Sequence, residues 1–107
     1  MMDKLRVFIS YKTEDRPLAD ELWTRIHEWG HEPWIDYRDI PVGISPESSS
    51  WKDAIHGGLK HSSVLVGCIT PESLASENVR KEWYWAELNR RRILLLRLRH
   101  YDNEDMP

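Results

Sequence analysis

Four short apolar runs, each separated from the next by residues of helical period, restrict this chain to one fold class. The runs are residues 5–10, 32–36, 64–69 and 93–96. The first is short, apolar and β-branched and the third nearly all apolar, the pattern of buried strands. Between the first two, Leu18, Leu22, Ile26 and Trp29 recur at helical spacing. Asp15 is placed to cap that helix, Pro17 stands in its first turn, and Gly30 closes it. Trp51, Ile55 and Leu59 form the apolar stripe of a second helix, expected to end near Gly57 and Gly58. Thr70-Pro71-Glu72 opens a third, with a hydroxyl cap, a proline and an acid in the first turn. It is expected to run to Arg92, with a break around residues 76–78. Residues 37–50 are rich in Pro, Gly and Ser and read as a long loop.

The order is therefore βαβαβαβ. Strands that alternate with amphipathic helices give a parallel sheet covered on both faces. Right-handed crossovers then favour a flavodoxin-like three-layer αβα domain with strand order 2-1-3-4. Ligands of such sheets bind beyond the carboxyl ends of the strands. Those ends are Ser10-Tyr11-Lys12, Asp36-Tyr37-Arg38, Thr70-Pro71 and Arg99-His100. At 107 residues the chain is one domain, spanning 1–107.

Several classes of chemistry are disfavoured. No G-x-G-x-x-G follows the first strand and no G-x-x-x-x-G-K-[ST] occurs, which argues against dinucleotide-binding Rossmann domains and P-loop NTPases. The one cysteine, Cys68, lies in the apolar third strand and reads as an inert core thiol. With one cysteine there is no disulfide framework, a structural zinc site is disfavoured, and a cytoplasmic setting is expected. A net charge of −3 argues against a general binder of nucleic acid or anionic membrane. A response-regulator phosphoacceptor needs an aspartate at the end of the third strand, where Thr70 stands. Arg90-Arg91-Arg92 reads as cations at a helix C-terminus.

Four segments carry a resemblance. Val7 to Asp15, an apolar strand ending in Ser-Tyr before a polar acidic loop, closely resembles the opening of a Toll/interleukin-1 receptor (TIR) domain. Trp34-Ile35-Asp36 with Arg38-Asp39-Ile40-Pro41-Val42-Gly43 resembles that family's second strand and following loop. Residues 63–71 resemble its third strand and the Thr/Ser-Pro turn. Ser76 to Trp83 resembles the segment in which enzymatic members carry a catalytic glutamate. The four are collinear over residues 5–99. The family's tryptophan four residues before the glutamate is replaced here by Asn78, while a literal W-x-x-x-E occurs one turn later, Trp83 to Glu87. Spacing from Ser76 and to Ile93 selects Glu82. The family normally adds a fifth strand and a last helix, so an incomplete domain, the N-terminal part of a longer protein, is expected.

The resemblance implies cleavage of NAD+ at the nicotinamide–ribose bond, with NAD+ as substrate and with no metal or cofactor. Glu82 would be catalytic, and Ser10, Tyr11, Lys12, Trp34, Asp36 and Asn78 would bind substrate. Trp34 reads equally as a core tryptophan, Lys12 as a solvent-facing charge, and Asp36 with Arg38 as an ion pair shaping the loop. Residues Ile40, Pro41, Val42, Gly43 and Ile44 would form a loop that packs on other TIR domains, in a homo-oligomer or filament. A sensor domain or subunit outside this chain would supply the trigger, in a bacterial immune effector. The alternative is a non-catalytic module that docks other TIR domains. Trp23 and Trp29, Trp51, and Trp83 with Trp85 fall on the first, second and third helices. Trp83 and Trp85, two apart, cannot share one helix face, so at least one is expected to be partly exposed.

Overall fold

The strand β1 (Arg6–Ser10) pairs in parallel with β2 (Glu32–Trp34) on one side and β3 (Val64–Ile69) on the other, and β3 pairs with β4 (Arg92–Arg97). The sheet order is thus 2-1-3-4, all parallel, in a computed structural model that describes residues 4–45 and 48–97. The expected sheet end at Arg99 and His100 lies outside the described residues.

Side chains alternate across β1 and β3, so each strand feeds two apolar layers. On one face Val7, Ile9, Val64, Val66 and Cys68 pack with Ile35 and with Ala19 and Ile26 of α1 (Arg16–Glu28). On the other, Phe8 and Leu65 pack with Leu59 of α3 (Ser49–His61) and Ala86 of α5 (Glu77–Leu88). Both helical layers of the expected sandwich are present. The outer strand β4 keeps Leu94, Leu95 and Leu96 exposed.

Several local expectations change. β2 stops at Trp34 because the Asp39 carboxylate accepts from the Ile35 N–H at 2.7 Å, which draws the chain into the one-turn helix α2 (Asp36–Asp39). The segment expected to be loop throughout therefore begins as helix. α3 starts after Ser48, whose hydroxyl accepts from Trp51 N–H, and it runs through Gly57 and Gly58. Gly58 is packing space rather than a stop, since a Cβ there would lie 2.6 Å from the Trp34 ring. The third helical region divides at Ser76, which ends α4 (Pro71–Ala75) and caps α5. Asp15 makes no side-chain cap to α1 and is instead buried, accepting from the Thr70 hydroxyl at 2.6 Å. Gly30 does close α1, at a φ of +87°.

Candidate active site

Val79, Glu82, Trp83 and Ala86 recur at helical spacing on α5 and face the sheet together, with Val79 and Ala86 buried. An acid thus occupies a position of the inward stripe. It stands over the carboxyl end of β1, where Ser10 points to the same face as Phe8 and is 1% exposed. The Ser10 hydroxyl donates to Glu82 Oε1 at 2.7 Å and accepts from the Trp83 indole N–H at 3.0 Å. Gly67 of β3 is the register partner of Ser10, and a Cβ on it would stand 2.8 Å from that indole nitrogen.

Burial pushes the Glu82 carboxyl up to about 8. The Ser10 hydrogen bond works against this shift, and the negative charge of Asp36 adds to it. Glu82 is therefore not the surface partner of Lys81, which pairs with Glu77. Glu87, the acid of the literal W-x-x-x-E, is exposed.

Asp36 begins α2 at the carboxyl end of β2. Its carboxylate accepts from the Tyr11 hydroxyl at 2.6 Å and from the Tyr37 N–H at 2.7 Å. Burial and the adjacent Asp36 hold the Tyr11 phenol well above its ordinary range. Ser10, Tyr11, Asp36 and Glu82 are thus joined by direct hydrogen bonds or by charge at the ends of β1 and β2. The expected pairing of Asp36 with Arg38 is not formed. Arg38 reaches back to Asp20 of α1 at 2.5 Å, and Tyr37 also donates to Asp20. Asp36 is occupied by Tyr11, and the turn of α2 directs Arg38 over the Trp23 ring, 3.9 Å from its centroid. This clamp of Asp20, Trp23, Tyr37 and Arg38 had no signal in the sequence beyond the helical spacing of its α1 members.

Lys12 is partly buried, and its carbonyl accepts from Asp15 N–H in the turn after β1. Asn78 is exposed one turn before Glu82. Trp34 stacks on Phe8 with centroids 5.0 Å apart and packs against Gly58, one side-chain layer below Ser10. In the loop, Ile40 is buried at 4% exposure, so its side chain anchors the segment instead of facing a partner. Pro41 to Ile44 form a turn with Gly43 at φ +97°, and Val42 at its tip is fully exposed. Trp83 and Trp85 are both partly buried, and Tyr84 between them is exposed.

Among the described residues no group of three or more His, Cys, Asp or Glu could hold a metal ion. His27 and His31 stand four apart, but Gly30 ends the helix between them and His31 Nδ1 accepts from Leu5 N–H. No helix among the described residues is long and apolar enough to cross a membrane. Burial pushes the Cys68 thiol up to about 11, which makes it a poor nucleophile at neutral pH.

A doubly wound parallel sheet of order 2-1-3-4, with a desolvated acid held by a serine at its carboxyl edge, defines a flavodoxin-like α/β domain with a polar site where such folds bind ligands. A family model described as TIR domain matches residues 7–107, and the chain belongs to the TIR-domain family. No curated protein matches it.

Proposed function

We propose that this TIR domain cleaves NAD+ at the nicotinamide–ribose bond, with Glu82 as the carboxylate that acts on the ribose. The observation that carries this reading is the acid on the inward stripe of α5, desolvated and bonded by Ser10 at the carboxyl edge of the sheet. A helix that only covered the sheet would be better served there by an apolar residue.

The chemistry asks little of the protein. As the C–N bond breaks, its electron pair leaves with nicotinamide, which departs neutral, and positive charge develops on the ribose. The developing state is oxocarbenium-like, as in glycoside cleavage. A carboxylate close to that ribose stabilises it electrostatically, most effectively where water is excluded. Asp36 adds negative charge near the same place. The cationic nicotinamide ring also favours the ionised form of Glu82, offsetting the desolvation that holds the proton in the free protein.

Assembly with further TIR domains through the turn at Val42 belongs to the same proposal, as does a role as the output domain of a bacterial immune effector with a separate sensor. A docking module alone has no use for an inward-facing acid bonded by Ser10. The direct test is nicotinamide release from NAD+ by the protein at high concentration, compared with Glu82→Gln. Release by the wild type and its loss in the variant support the reading. Equal release by both, or none by a folded and assembled wild type, overturns it.

A further inference from the structure

We propose that Trp83 is a positioning residue for Glu82 and acts through Ser10, its indole N–H holding the Ser10 hydroxyl so that the hydroxyl proton is directed at the Glu82 carboxylate. The three polar atoms follow one another at 3.0 Å and 2.7 Å. An indole nitrogen only donates, and a serine hydroxyl has one proton and two lone pairs. With one lone pair taken by Trp83, which cannot accept, the Ser10 proton has Glu82 as its acceptor. Two donors in series polarise one another, so the indole strengthens the bond to the ionised carboxylate without touching it.

The fold makes room for this arrangement. Gly67 lies opposite Ser10, and a Cβ there would come within 2.8 Å of the indole nitrogen and 3.0 Å of the adjoining ring carbon. A glycine in an otherwise apolar strand admits the ring against the sheet. The other charge that bears on Glu82 is Asp36 of α2, itself bonded by Tyr11 from the loop after β1. On α5, Lys81 is engaged by Glu77, and Gly67 of β3 carries no charge. The relay thus opposes both burial and Asp36. Its catalytic consequence rests on the reading of Glu82 as the acting carboxylate, whereas the relay itself does not.

The test is the titration of the Glu82 side-chain carbon by NMR in the full chain, assigned with Glu82→Gln. Trp83→Phe should raise the midpoint by about half a unit or more, the scale of one modest hydrogen bond. Ser10→Ala should raise it at least as much, and Trp83→Phe should add nothing in the Ser10→Ala background. An unmoved midpoint in folded Trp83→Phe, or an equal further rise without the Ser10 hydroxyl, overturns the relay. If Trp83→Phe does not fold, the wild-type protein decides. The Trp83 indole N–H signal should follow the Glu82 midpoint and become flat in Glu82→Gln, and a flat signal in the wild type overturns the proposal. None of these readouts needs NAD+, so a relay that holds in a protein without cleavage activity counts against the proposed reaction alone.

Discussion

The Tyr11 hydroxyl donates to Asp36 Oδ1 across 2.6 Å and so ties the loop after β1 to the helical turn after β2. That bond holds a negative charge near Glu82, and the charge raises the affinity of Glu82 for its proton. The two acids are electrostatically coupled while each has its own hydroxyl donor. This coupling sets the pH behaviour expected of the site.

For kcat/KM on NAD+, activity should rise with pH through a single ionisation near 8, because the free protein must lose the Glu82 proton. Asp36→Asn should move that limb to lower pH by removing the like charge. A pH–rate profile checks both. A limb unmoved in Asp36→Asn would show that the charge does not reach Glu82.

Glu82→Gln should lower NAD+ cleavage by about two orders of magnitude or more, as for loss of a key electrostatic stabiliser. Glu87→Gln, on the exposed side of α5, should cost far less. Initial rates of nicotinamide release compare the two, and the reverse ranking would move the catalytic role one turn along the helix.

The same substitution should change how stability depends on pH. Glu82 holds its proton up to about 8 when folded but only to about 4.5 when unfolded, so the folded state binds the extra proton between those values. Stability therefore falls as pH rises from about 4.5 through 8. Each unit of difference corresponds to about 1.4 kcal/mol, reduced here because the residue is only partly covered. Glu82→Gln should flatten this decline and unfold at higher urea than the wild type at pH 9. Parallel urea curves at both pH extremes would contradict the desolvated carboxyl.

Trp34→Ala should destabilise the protein by about 3 kcal/mol, the lower end of large-aromatic truncation, because the ring is only partly buried. Gly58→Ala should be destabilising in the wild type, where the new Cβ meets the Trp34 ring at 2.6 Å. In the Trp34→Ala background it should become neutral or stabilising, since alanine is favoured over glycine in a helix by about 1 kcal/mol. Thermal melts of the four proteins in this cycle measure the coupling. A Trp34→Ala protein of unchanged stability but raised KM would assign the ring to substrate instead.

Val42→Arg tests assembly without disturbing the backbone, since Val42 is fully exposed at the turn. Gly43→Arg is less informative, because at φ +97° a side chain strains the turn by itself. Specific activity of the wild type should rise with protein concentration, and in Val42→Arg it should stay low while the melting temperature is unchanged. Activity independent of concentration in both would separate catalysis from assembly.

The sequence by itself determined the layered fold. The apolar runs of β1 and β3, the stripe Leu18, Leu22 and Ile26, and the Thr70 cap are local patterns that the backbone imposes, so strand order followed from handedness and spacing. Glu82 was legible only through the resemblance to TIR domains, by its spacing from Ser76 and to Ile93; that it shares an inward face with Val79 and Ala86 came from the structure. The tertiary structure alone decided what each polar group meets. Asp15 was placed to cap a helix and instead bonds Thr70, 55 residues on, while Trp83 bonds Ser10 from 73 residues away. Arg38 took Asp20 in place of Asp36, and Trp34 found Phe8 and Gly58 beneath it. Periodicity reports which face a residue occupies. Which partner waits there depends on register and packing between segments far apart in the chain, and no local pattern encodes that.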